Sequence, residues 1–386
     1  MADTQTPQVQ NLVLQGNAAF TNRLYQILAK EPGNLFFSPL SIHAVVSMAH
    51  QGAREETAKA IEEVLQIPDA EATAEGYRAI TEQLKSLMAV LVYLAFKIYV
   101  KKGLELEDTF VENIQKHFSS EVECVDFRDK YQVVKDINQW VEKQTNEKIK
   151  NILTPDFITG GTMMLLINSI YFKGRWFFPF SEKLTKTEKF FVDETNSVDV
   201  QMMHKIDDRL YKYDEELEAQ IALFLFQGVN VRMVIVLPKD RNGIKSLERK
   251  LSDVGFTGLV ENLASQQLII SMPKFKMEST VDLSETLKQM GLENIFSQEA
   301  NFSGMLKTGS TELYVTQVFQ KAFIDLNEWG AEAAAVSVGK MSKKAGWHQE
   351  GPVDFVVDHP ALFLLVADVK GIMNILFCGR LSHPCY

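Results

Sequence analysis

The sequence predicts an α+β fold organised as one large domain, and three observations carry that prediction. Helix-spaced apolar residues fill the first third of the chain. From about residue 163 onward the pattern changes to short apolar runs of strand character. Between the two lies no repeat, no low-complexity linker and no Pro/Gly/Ser-rich boundary. Helices first and strands later, without a clean break, fit an α+β domain. The 386 residues are 46% hydrophobic and 23% charged, enough for an extensive core in an otherwise ordinary globular composition.

Taken in order, Gln10–Ala29 carries apolar residues at helical spacing and is closed by Glu31-Pro32-Gly33. Ser38-Pro39 reads as an N-cap followed by proline at the first helical position, starting a helix over Leu40–Ala49. Arg54–Leu65 is a third amphipathic helix, closed by Ile67-Pro68. Phe96–Val100 reads as a strand, Leu106–His117 as a helix, and Asp136–Ile149 as a helix with Ile137, Trp140, Val141 and Thr145 on one face. Met163–Phe172 is a nearly unbroken apolar run, as expected of a strand buried on both faces. Val231–Leu237 is another, bounded by Pro238 and Asn242-Gly243. Strands are expected at Leu268–Met277 and Gln320–Leu326 with a helix at Val281–Met290 between them. Two paired strands, Leu362–Ala367 and Ile372–Cys378, turn at Lys370-Gly371.

Composition excludes several functions. With 40 basic and 50 acidic residues the net charge is -10, which argues against general nucleic-acid affinity. No run of about 18 apolar residues is present, so no membrane span is expected. MADTQTPQVQNLVLQG at the start has neither a basic n-region nor a continuous apolar h-region. That leaves two compartments open, the cytosol or, if Met1 begins a mature form, the exterior. Cys124, Cys378 and Cys385 make no disulfide framework and are expected to be buried free thiols. Asn301-Phe302-Ser303 is a glycosylation sequon of the kind that also arises by chance. No metal-ligand spacing, GxSxG elbow or phosphate loop occurs, so no metal and no cofactor are expected. Asp207-Asp208 and Glu215-Glu216 are expected on solvated surface. Asp358-His359 lacks a nucleophile with a positioning context, and nothing supports an enzyme.

The stretch that asks for a function is Asn327–Val338, NEWGAEAAAVSV, with a lysine cluster, GKMSKKAG, close behind. Glu332 is the only charge between Gly330 and Lys340. A tether this long without structure of its own is usually functional or disordered. An alanine-rich surface helix fits Glu332–Ala335 alone and fails once Val336, Val338 and Gly339 are included.

Six segments together resemble the serpin family, in serpin order and over almost the whole chain. They are NLFFSPLSI (Asn34–Ile42), LINSIYFKGRW (Leu166–Trp176), VQMM (Val200–Met203), MPKFKME (Met272–Glu278), QKAFIDLNEWGAEAAA (Gln320–Ala335) and DHPALF (Asp358–Phe363). The wording of the fifth looks most like arthropod members. The resemblance implies a single α+β serpin domain over residues 1–386, ordered from about 10 to 384, with eight or nine helices around three β-sheets. It also implies an exposed reactive loop from about 330 to 352. A target protease attacks that loop, an acyl-enzyme forms, and the cleaved loop enters the central sheet as a new strand. Serpin loop insertion is itself a known example of strand addition with release of stored strain.

The residues suit that mechanism. A strand entering a sheet presents every second side chain to a packed core. Counted from Ala331, the inward set is Ala331, Ala333, Ala335, Ser337, Gly339 and Met341, all small or uncharged, while Glu332 and Lys340 fall outward. A one-residue slip would bury both charges. About ten new ladder bonds at about 1 kcal/mol net each amount to roughly 10 kcal/mol before side-chain burial. The resemblance assigns the hinge to Glu328, Gly330, Ala331, Glu332, Ala333, Ala334 and Ala335. It puts Lys344 before the scissile bond and Ala345 after it, with Lys343 the alternative. Either lysine fits a trypsin-like primary pocket.

By the same resemblance Ser38, Ser41 and Asn168 match the polar cluster where the sheet opens. Gln320 stands where many relatives have histidine, and Trp176 matches the aromatic at the top of the sheet. Phe96 and Trp329 depart from the family pattern and are expected to slow opening without abolishing it. The implied partner is a trypsin-like serine protease held in a covalent 1:1 complex, with the inhibitor a monomer. No basic helix suggests a heparin or other glycosaminoglycan site. The competing readings are a non-inhibitory carrier, storage or chaperone protein, and an inhibitor of a cysteine protease.

Overall fold

The protein is described from a computed structural model over residues 5–86, 90–228, 230–307, 312–331, 351–369 and 371–385. Its elements run α1 (Gln5–Leu28), β1 (Leu35–Phe37), α2 (Pro39–His50), α3 (Glu55–Leu65), α4 (Ala70–Lys85), β2 (Val90–Lys101), α5 (Asp108–Phe118), β3 (Glu121–Val125) and α6 (Lys130–Gln144). There follow β4 (Met164–Arg175), β5 (Lys186–Phe191), β6 (Ser197–Asp214), β7 (Ala219–Leu225), β8 (Val231–Pro238), α7 (Ile244–Val254), β9 (Ala264–Pro273), β10 (Phe275–Asp282) and α8 (Ser284–Leu287). The chain closes with β11 (Gln317–Asn327), β12 (Gly330–Ala331), β13 (Val353–Val356), β14 (Ala361–Val369) and β15 (Ile372–Leu381).

The expected α+β class holds, with eight α-helices among the described residues. One sheet has six strands in the order β10-β11-β12-β4-β2-β3. The other has nine, β1-β15-β14-β8-β7-β6-β9-β13 with β5 also on β6. Because the 18-residue β6 pairs in turn with β5, β9 and β7, the nine-stranded sheet divides into two layers that share this strand, and with the six-stranded sheet they make the three expected sheets. α2 is buried along its whole length, as a helix hydrophobic on all sides must be. Ser38 caps it as expected, its hydroxyl accepting from Ser41 N at 3.2 Å. A second core forms on the outer face of the six-stranded sheet. There Val133, Val134, Ile137 and Val141 of α6 pack with Leu165, Ile167, Phe319 and Phe323 of β4 and β11.

Several expectations need correction. The Asp136–Ile149 helix is really Lys130–Gln144: Asp129 caps its start, accepting from Gln132 N, and left-handed Asn146 and Glu147 prevent its continuation. Leu268–Met277 is not one strand, because Pro273 has no N–H for the ladder and the chain changes sheet there. The Val281–Met290 helix is reduced to α8 and a following π turn, since Val281 and Asp282 stay in β10 and Leu283 N bonds Val318 O. α4 escaped the sequence reading because polar residues and Gly76 dilute its pattern. Gly76 is there because a Cβ would come within 2.7 Å of Val13 on α1. Asp207 is buried rather than solvated, paired to Lys205 at 2.9 Å and Arg209 at 2.8 Å. The three thiols are free, but only Cys378 is buried; Cys124 and Cys385 are exposed.

Candidate functional site

In the middle of the six-stranded sheet β4 and β11 run parallel, paired from Gln317↔Leu165 to Phe323↔Tyr171. Their other partners in the sheet, β2 and β10, are antiparallel to them. Above Phe323 the two strands stop pairing, and β12 occupies the space between them. Ala331 pairs with Leu326 on one side and Gly174 on the other, antiparallel to both. Gly330 and Ala331 therefore lie in line with the junction between β4 and β11. Gly330 makes this possible: its φ is +131°, and a Cβ would lie 2.2 Å from Gly174 O. Ala331 is 0% exposed within the main core, which agrees with its expected inward direction.

Lower on the same seam, Ser38, Ser41, Asn168 and Gln320 meet as one buried cluster. The Gln320 amide donates to Ser41 Oγ at 2.6 Å, Asn168 Oδ1 at 2.8 Å and Ser38 O at 2.9 Å, while its Oε1 accepts from Ser38 N at 2.9 Å. Ser41 Oγ donates to Asn168 Oδ1 at 2.8 Å, and Asn168 Nδ2 donates to Phe319 O at 2.8 Å. The cluster ties α2 to both seam strands. Gln320 can hold this place because its amide donates and accepts at once.

At the top of the seam Trp176 is buried, stacked on Phe226 with centroids 4.4 Å apart, and its Nε1 donates to Asn327 O at 3.0 Å. Its backbone N donates to Trp329 O at 2.9 Å. Trp329 is itself tethered, its Nε1 donating to Glu182 Oε1 at 2.8 Å. Phe96 lies in the buried core beside Asn168, its register partner on β4.

Glu328 is 4% exposed yet fully partnered. It accepts from Thr185 Oγ1 at 2.7 Å and pairs with Lys274 Nζ at 3.1 Å. Burial works to raise its pKa, but the bonds from Thr185 and Lys274 outweigh it and hold the carboxyl below its usual value. Thr185 and Lys274 are neighbours of Glu328 that the sequence reading missed. The one available signal was Lys274 inside MPKFKME, whose contact with Glu328 no spacing rule reveals.

Glu332, Ala333, Ala334, Ala335, Lys343, Lys344 and Ala345 lie outside the described residues. Past them, Gly351 is held by Gln266, whose Nε2 donates to its carbonyl at 2.9 Å, and β13 then pairs parallel with β9. Asp358 and His359 do touch, at 2.7 Å, and the other ring nitrogen of His359 bonds Pro238 O at 2.8 Å.

A family model described as Serpin (serine protease inhibitor) matches residues 15–384. The chain is 33% identical over 376 residues to Antitrypsin of Bombyx mori, which covers 95% of this chain and 94% of that protein. Among solved structures it is similar to Serpin48, a highly specific serpin of the insect Tenebrio molitor. The TM-score is 0.88 at 31% identity, covering 97% of this chain and 99% of that one. Human thyroxine-binding globulin, solved with its ligand, also has a TM-score of 0.88, at 26% identity over 98% of this chain and 100% of that chain.

Proposed function

This chain belongs to the serpin family, and we propose from that premise that it is a suicide-substrate inhibitor of trypsin-like serine proteases. Cleavage after Lys344 releases the loop, and the hinge enters between β4 and β11 while the protease is still an acyl-enzyme. The observation that carries this reading is β12. Two residues of the hinge lie antiparallel to both seam strands at the head of the one junction where those strands run parallel. Extending both registers puts Lys340 opposite Gln317 and Leu165, the last pair of the seam. The ten residues 331–340 therefore match its length on both sides. Filling it replaces one parallel pairing with two antiparallel ones, which are slightly more stable per residue.

The same registers place Ala333 opposite Ile324 and Ala335 opposite Ala322, on the main core side. Ser337 falls opposite Gln320 and Asn168, where a hydroxyl meets amides rather than apolar carbon. The inward set thus suits the wall that it would face, position by position. Trypsin-like specificity rests on Lys344, with Lys343 the neighbouring choice. We expect a monomer that forms a covalent 1:1 complex.

The decisive experiment mixes the protein with trypsin and looks for a complex that survives SDS. The expected result is such a complex, reduced at least about a hundredfold in formation rate by Lys344→Ala. Mass spectrometry of the released fragment locates the bond. Clean loop cleavage with no complex, across several trypsin-like enzymes, overturns the reading. A non-inhibitory carrier is favoured by one observation, the likeness to thyroxine-binding globulin. A thermal melt after loop cleavage separates the two, since an inserting fold gains many degrees and a non-inserting one almost none.

A further inference from the structure

We propose that Trp329 and Glu182 form a pivot for the reactive loop: by fixing the turn at its root, they direct the freed hinge into the seam before the acyl-enzyme is hydrolysed. The proposal rests on the inhibitor reading and deepens it, because it adds a positioning pair to the trapping step. It also gives Trp329 the opposite role to the one its bulk suggests.

The first observation is a hairpin turn of unfavoured geometry. Asn327 pairs with Gly330, so β11 and β12 are joined by two residues only, Glu328 and Trp329. Two-residue hairpins close best when their first central residue, or both, has positive φ. Neither Glu328 nor Trp329 does; the positive φ, +131°, belongs to Gly330, one place later. A turn of this kind lets the flanking strands splay unless other bonds hold it.

The second observation is where those bonds come from. Glu328 O accepts from Phe180 N and Trp329 O from Trp176 N, both at 2.9 Å. These backbone bonds are open to any pair of residues in the turn. The side chains add two that are not. Glu328 accepts from Thr185 Oγ1 at 2.7 Å, and Trp329 Nε1 donates to Glu182 Oε1 at 2.8 Å. Glu182 opens a short 3-10 turn over Glu182–Leu184, and Thr185 follows it, its N donating to Glu182 O at 3.2 Å. Both residues of the hairpin turn are thus anchored by their side chains to one short segment.

The third observation is which part has to move. Ala331 already pairs with both seam strands and is fully buried, so on the inhibitor reading only the chain beyond it travels. The near end must stay aligned with Leu326 and Gly174, since a slip of one residue sends every side chain to the wrong face. A loose root would let that register wander while hydrolysis proceeds. Trp329 does not block the seam to achieve this. Its indole N–H is bonded to Glu182, which is exposed and lies outside the six-stranded sheet. The large side chain serves as an anchor rather than a wedge.

The test measures, with trypsin, the rate at which the loop is attacked and the ratio of cleaved inhibitor to covalent complex, with a thermal melt to check folding. Glu182→Ala removes the acceptor, and Trp329→Phe keeps a ring but has no N–H. Glu182→Gln keeps an acceptor, and Trp329→Lys supplies a different donor to Glu182. The expected result is a ratio roughly fivefold higher for Glu182→Ala and Trp329→Phe, the factor that one ordinary hydrogen bond gives, with the rate of attack unchanged. Glu182→Gln and Trp329→Lys should stay within about twofold of the parent. An unchanged ratio in the first two variants overturns the pivot and leaves the inhibitor reading intact. A lower ratio makes the bond a brake and overturns the proposal as well. An equal rise in all four variants shows that the bond is not what matters, and also overturns it. Absence of any covalent complex with the parent overturns both readings together.

Discussion

The two ends of the β4–β11 seam are held by different chemistry. The lower part is closed by the parallel ladder and by Ser38, Ser41, Asn168 and Gln320, a cluster of amides and hydroxyls without an ionisable group. The upper end is already parted around Ala331 and is steadied by an ion pair, Glu328 with Lys274, and by Trp176. The contrast teaches that the two ends answer differently to pH. The bonds of the cluster involve no titrating group, while the mouth around Ala331 is steadied in part by an ion pair that responds to charge. Burial suppresses ionisation close to the cluster. Two residues beyond Ser41 on the same helix, burial pushes the His43 imidazole down to about 4, and its nitrogens meet Tyr77 OH and Leu65 O.

The largest expected effect breaks the mouth. Ala331→Arg puts a guanidinium at a position with no exposure between two strands. It should turn inhibitor into substrate, raising the stoichiometry of inhibition at least about tenfold in a titration against trypsin. An unchanged value would detach the hinge from the mechanism.

A smaller effect tests the cluster. Gln320→Leu leaves Ser38 N without its acceptor and Asn168 Oδ1 without one of its donors in a buried site. That should lower unfolding stability by about 2 kcal/mol in urea. If the two ends are independent, the stoichiometry of inhibition should move little by comparison.

The smallest effect sharpens the contrast in charge. The Glu328 carboxyl titrates below its unfolded value in the folded protein, so its stabilisation is complete above about pH 4.3 and disappears as pH falls through the lower folded value. Melting curves of the parent and Glu328→Gln should therefore differ at pH 7 and converge in acid. A gap that persists below the carboxylate range would remove the ion pair from the account.

Much of this region was legible in the sequence because local chemistry announces it. Ser38-Pro39 signals a capped helix, and the apolar run at Met163–Phe172 signals a buried strand. The polar cluster came only through family resemblance, since nothing in the spacing of Ser41, Asn168 and Gln320 brings them together. Glu328, Thr185 and Lys274 were invisible as a group for the same reason: three segments converge through tertiary packing. Asp207 was hidden too, because a polar residue beside another charge reads as surface until its buried partner Arg209 is seen.

Under the inhibitor proposal the length of the seam takes on a mechanical meaning. Ten residues at about 3.3 Å each would make a stroke of roughly 33 Å, delivered once, in one direction, and without fuel. On that reading, whatever is tethered beyond Lys340 would travel from the top of the sheet toward its foot. The register that aligns Ala331 with Leu326 and Gly174 would then act as a ruler, and adding or deleting a residue before Lys340 would change how far the load is carried.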